Sequence, residues 1–243
     1  MIENSFWRLC ASLTICLSIW CASMALASVA AAQESAGLVV VIANEYDGFI
    51  PSATRDANAV ADKLEGDGFD AVRLLDVVGG DFVAELEKVR VAAERAGSLR
   101  IIYATGFGMC LNETLVVFTE DAQPEQFKSG QIGDVVVPLA FVAEAAATGG
   151  AQTLIVFDVN PNQCTRVFFD GVKLPPNSAL LITTGIGGDV VEEVNEDGMS
   201  AFVTAFIHEY APDRALNDII VKVVEQIREL TDERQMPLLI GDL

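Results

Sequence analysis

Five short runs built almost wholly from apolar residues limit what this chain can fold into: residues 38–43 (LVVVIA), 73–78 (RLLDVV), 99–105 (LRIIYAT), 152–159 (QTLIVFDV) and 178–185 (SALLITTG). Runs this rich in β-branched residues leave no polar face for water, so they predict strands buried on both sides, as in a parallel sheet. Between them, Ala53, Ala57, Val60, Ala61 and Leu64 recur at helical spacing, as do Phe82, Leu86, Val89 and Ala93, and later Leu216, Ile220, Val223, Ile227 and Leu230. Each set is one apolar stripe on a helix, fit to cover a sheet. Strand and helix in alternation predict a three-layer α/β sandwich with a mostly parallel central sheet of about six strands. Ligands of such sheets lie at the carboxyl ends of the strands. Two runs lead to such ends, one into the glycine-flanked Phe107 and the other through Asp158 and Val159 into Asn160.

The first residues are of another kind. A short head carrying Arg8 leads into an alanine-rich apolar run with Ala-x-Ala patterns at 25–27 and 30–32. That is the pattern of a secretory signal peptide over residues 1–32, cleaved after Ala32 or Ala27. The alternative is an uncleaved anchor, because residues 9–32 are long enough to span a bilayer. A lipoprotein signal does not fit, since Cys16 and Cys21 follow Ile15 and Trp20, where a small residue is needed. Export predicts a periplasmic or secreted domain over residues 37–243, with no membrane contact once the signal is removed.

The 243-residue chain carries 35 acidic and 15 basic residues, a net charge of −20, and loss of residues 1–32 removes only Glu3 and Arg8. A surface that negative repels phosphates and anionic lipid heads, which argues against nucleic acid as a partner. Of the five cysteines, only Cys110 and Cys164 lie beyond the N-terminal segment. In an exported protein, two cysteines are candidates for one disulfide, the alternative being two free thiols.

Several stretches together resemble bacterial caspase-like and metacaspase-like domains. Residues 39–76 have a strand ending in Asn44 before an aromatic, an Asp56-Ala57 pair opening a helix, and Gly68-Phe69-Asp70 before the second strand. Further on, YATGFGM is similar to the family's strand ending in Gly-His-Gly, and LIVFDVN to its strand ending in Asp-x-Cys. ALLITTGIGGDVVEE, GMSAFVTAF and ERQMPLLIGDL resemble its fifth strand, its Ser-x-Phe-Thr helix and its closing Gln-x-Pro segment. The resemblance covers residues 37–243 and implies a caspase-like fold.

In that family a histidine assists a cysteine thiolate that attacks a peptide carbonyl. The resemblance places Phe107 at the histidine position and Asn160 at the cysteine position. A phenyl ring has no proton to exchange and a carboxamide is not a useful nucleophile, so neither can serve. The chain has one histidine, His208, set within SAFVTAFIHEY, where Phe202, Ala205 and Phe206 mark the buried face of a helix. His208 lies off that stripe and is expected to face outward or to bond a neighbour. The expectation is a caspase-like pseudopeptidase, not an enzyme, that serves as a binding or regulatory module. The rival is an active cysteine endopeptidase that uses Cys164 or Cys110 with another base and cleaves after basic residues.

The resemblance also makes the third and fourth apolar runs neighbours, which implies a Cys110 to Cys164 disulfide across the vacated site. It gives Asp158, two residues before the family's nucleophile, the role of attracting an Arg or Lys side chain. The acidic stretch 189–197 (DVVEEVNED) is expected on the same rim, so a basic peptide or protein segment is the implied partner. Two plainer readings stay open: Asp158 accepts hydrogen bonds where a strand ends, and the acidic stretch is a solvated hairpin.

No cofactor or metal is expected. Asp158, Asn160 and Asn162 are spaced like the start of a calcium loop, but Gln163 replaces its turn glycine and Phe169 its final glutamate. ATGFGMC lacks the third glycine of a dinucleotide fingerprint and no phosphate-cradling lysine follows. Gly106 and Gly108 are read instead as making a tight turn at the strand end.

Overall fold

The computed structural model describes residues 35–111, 114–123, 135–162, 168, 171–184 and 198–242. The expected signal peptide, Cys164 and the acidic stretch 189–197 lie outside the described residues. Among the described residues, no helix is long and apolar enough to cross a membrane.

The apolar runs form the middle of a mixed, mostly parallel sheet. Its strands are β1 (Ser35–Ala43), β2 (Asp70–Leu75), β3 (Ala96–Leu111), β6 (Gln152–Asn162) and β7 (Ser178–Ile182), closed by β8 (Leu238–Gly241), in the order β2-β1-β3-β6-β7-β8. The first five are mutually parallel where they pair and β8 runs antiparallel to β7. A hairpin-like extension, β4 (Thr114–Phe118) and β5 (Val136–Pro138), pairs antiparallel with the far end of β3. The sheet thus holds eight strands, six of them on the main path.

Five described α-helices cover its two faces: α1 (Ser52–Gly66), α2 (Phe82–Ala93), α3 (Leu139–Ala146), α4 (Ala201–Glu209) and α5 (Leu216–Leu230). Strand pleating decides which face each side chain joins. Leu38, Val40, Ile42, Ile102 and Ile155 pack with Val89 of α2 and Val142 of α3. Their alternates Val39, Val41, Ile101, Tyr103 and Val156 pack with Leu64 of α1, Phe206 of α4 and Ile220 of α5. The result is the three-layer α/β sandwich that the uniformly apolar runs imply.

Two local expectations are corrected. The second strand lies three residues earlier than residues 73–78, because Asp76 takes a left-handed φ of 49° and ends it. Val77 is nonetheless buried, its N–H held by the Asn44 side chain. The segment around Gly106 and Gly108 is not a turn but the continuation of β3. Gly106 has φ of 122°, a region that L side chains rarely adopt. A Cβ on Gly108 would lie 2.7 Å from the Phe157 ring and 2.8 Å from a Val159 methyl. Both glycines therefore let a long strand pass a crowded point.

Candidate functional site

The carboxyl ends of β1, β3, β6 and β7 converge with the start of α4, and two distinct groups of side chains meet there. The inner group is built on Asp158. Pleating turns this residue of β6 toward the α1 and α4 layer, where it is 1% exposed. Its carboxylate accepts hydrogen bonds from Tyr103 Oη at 2.9 Å, from Ser200 Oγ at 2.7 Å and from Thr183 Oγ1. Burial outweighs these three donors and raises its pKa. Burial also pushes the Tyr103 hydroxyl well above its usual range, helped by the charges of Asp158 and Asp56.

Ser200 joins this cluster to the helix behind it. Its hydroxyl caps α4 by accepting from Val203 N at 3.2 Å, while its own N–H donates to Asp56 Oδ2 at 3.2 Å. Asp56 belongs to α1 and is 3% exposed. One serine thus bridges two buried carboxylates. Among the described residues, the donors to Asp158 are side-chain hydroxyls.

The outer group is aromatic. Phe107 packs at a tilt against Tyr46, with ring centroids 4.8 Å apart, and against Phe49 at 5.7 Å. Both partners come from the loop after β1. Tyr46 Oη accepts from Phe107 N at 3.1 Å and donates to Phe118 O at 2.9 Å, which fixes the ring over the strand. Burial is the main reason that its hydroxyl is held well above its ordinary pKa, so it acts as a donor and not as a base. Asn44, fully buried, ties this loop to its neighbours through Phe118 O and Val77 N.

Phe107 and Asn160 are direct partners in the β3 to β6 register, which runs on to Met109 and Asn162. Only the backbone of Asn160 is described. His208 stands near the other end of α4, eight residues or about 12 Å along the helix axis from Ser200. Its side chain is 69% exposed and its Nδ1 lies 3.0 Å from Glu209 Oε1. Cys110 is buried in β3. Among the described residues, no group of three or more His, Cys, Asp or Glu side chains is arranged to hold a metal ion.

Sequence reasoning singled out Asp158 but missed its partners Tyr103, Thr183 and Ser200, and the link through Ser200 to Asp56. One signal was present: Asp56 lies on the same helical stripe as Ala53, Ala57 and Val60, and an acid within an apolar stripe marks a buried polar contact.

No family model matches the chain, and no curated protein matches it. The reading of the site rests on its own residues.

Proposed function

We propose that residues 37–243 are a caspase-like domain without the peptidase dyad, exported from the cytoplasm, that binds a basic peptide or protein segment without cleaving it. The observation that carries this is the register pair Phe107 and Asn160, in the carboxyl-terminal parts of adjacent parallel strands. A His and Cys pair in those two places would stand side by side, and this sequence has Phe and Asn there instead. Further support comes from the single histidine of the sequence, which lies at the far end of α4 and is engaged with Glu209.

The Cys110 to Cys164 disulfide belongs to the same proposal. Cys110 follows Met109, the last residue of β3 paired with β6, and Cys164 comes two residues after its partner Asn162. Neighbouring strands lie about 4.8 Å apart, within the Cα separation that a disulfide spans.

A fluorogenic peptide screen with Arg, Lys or Asp before the scissile bond tests the proposal. Untagged mature protein is expected to give no turnover, and its intact mass is expected to rise by two protons on reduction. Turnover that Cys164→Ala abolishes would overturn the proposal in favour of an active cysteine peptidase.

A further inference from the structure

The loop that covers Phe107 is built in an expensive conformation. Tyr46, Asp47 and Gly48 have φ of 53°, 55° and 81°, three consecutive residues in the left-handed region that non-glycine residues rarely enter. Such strain persists only where the surroundings impose it, and it gathers at ligand-binding segments. Here Glu120 imposes it with both carboxylate oxygens, which accept from Tyr46 N and Asp47 N at 2.7 Å each. Asp76 holds Glu45 N at 3.0 Å.

This clamped loop leaves a phenylalanine in water. Phe49 is 76% exposed, yet it is braced from behind by Phe107. A lone exposed aromatic on a mobile loop would be unremarkable. A rigid ring pair with one open face is a preformed platform. The segments that form and clamp this loop carry one sign of charge: residues 44–51, 76–82 and 118–123 contain Glu45, Asp47, Asp76, Asp81, Glu120 and Asp121 and no Lys or Arg. Asp47, two residues from Phe49, is itself exposed.

An aromatic face bordered by carboxylates suits a cation, and a guanidinium best, because its plane stacks on the ring while its fork reaches a carboxylate. We infer that Phe49 and Asp47 form a docking surface for an arginine-bearing segment of a partner protein, separate from the buried Asp158. The inference rests on the proposal that the domain binds basic segments, and it names the surface that does so.

The test is fluorescence anisotropy with a labelled Gly-Arg-Ser-Arg-Gly peptide, beside its lysine and citrulline counterparts, titrated into the full mature chain. The arginine peptide is expected to bind tightest and the citrulline peptide weakest. Phe49→Ala is expected to weaken arginine binding about tenfold. Asp47→Asn, which keeps a residue tolerant of left-handed φ, is expected to weaken it and to reduce its salt dependence. Val83→Ala, at a site 78% exposed on α2, serves as the control and is expected to change nothing. No binding at low-millimolar peptide, equal binding by wild type and Phe49→Ala, or equal binding of the arginine and citrulline peptides would overturn the inference. Cleavage of the bound peptide, read by mass spectrometry, would instead overturn the non-catalytic reading and leave the surface standing.

Discussion

Replacing Arg100 with Met is expected to destabilise the domain by about 4 kcal/mol, the largest effect of any single substitution considered. Arg100 lies on β3 and is 2% exposed, and among the described residues no carboxylate pairs with it. Its guanidinium instead donates to backbone carbonyls: Nε to Ala146 O at 2.8 Å, Nη2 to Ala93 O at 3.1 Å, and Nη1 to Leu99 O and Gly97 O. Ala93 and Ala146 are the last residues of α2 and α3. Carbonyls at a helix end lack partners within the helix and carry the negative end of its dipole. A single cation therefore caps two helices and fixes both to the sheet. Burial lowers its pKa, but a guanidinium starts high enough to stay charged. Methionine fills the space and leaves the carbonyls facing an apolar wall. Lysine keeps the charge but cannot serve several carbonyls at once, so Arg100→Lys is expected to cost about half as much. Urea unfolding measures both. A loss below about 1 kcal/mol for Arg100→Met would mean that water replaces the guanidinium without penalty.

Asp158→Ala is expected to cost about 3 kcal/mol, because it leaves the hydroxyls of Tyr103, Thr183 and Ser200 without their shared acceptor in a dry site. Asp158→Asn should cost less, since an amide oxygen can still accept while the charge is gone. The two forms also part with pH. Burial raises the Asp158 pKa in the folded protein above its value in the unfolded chain, so the folded state holds its proton to higher pH. The folded state gains from this residue below the unfolded carboxylate range and loses that gain as pH rises through the folded value. Stability of the wild type relative to Asp158→Asn should therefore be greatest in acid and decline toward neutrality. A series of urea titrations across that range measures it. A difference that stays flat or grows with pH would show that the carboxylate is not penalised by burial.

Much of the fold is legible in the sequence because burial on both faces leaves a plain mark. Residues 38–43 are wholly buried and read as strand for that reason. α5 shows its stripe of Leu216, Ile220, Val223 and Ile227 equally plainly. Elements lacking a one-sided pattern did not stand out. α3 reads LAFVAEAA, apolar on most sides and only eight residues long, so no helical period emerges from it. β2 was displaced because Leu74, Leu75 and Val77 look continuous, while the break is set by Asp76, whose left-handed φ no composition rule reveals.

The site is legible in part. Phe107, Asp158 and Asn160 stand out because strands end near them, and their neighbourhood follows from the register of β3 and β6. What holds Asp158 could not be read, since Tyr103, Thr183 and Ser200 come from three separate places in the chain and only folding brings them together. The outer aromatic group was equally hidden. Phe49 and Tyr46 look like loop residues until Glu120, more than seventy positions away, is seen to hold the backbone of Tyr46 and Asp47.

The central proposal is that Phe107 and Asn160 occupy the places where the caspase-like domains that the sequence resembles keep an imidazole beside a thiol. The most direct test introduces that pair, Asn160→Cys alone and together with Phe107→His, and follows alkylation of the introduced thiol at neutral pH. An adjacent imidazole stabilises the thiolate and speeds alkylation, so the double variant is predicted to react about tenfold faster than the single one. Equal rates in the two variants would contradict the claim, because the two positions would then not face one another.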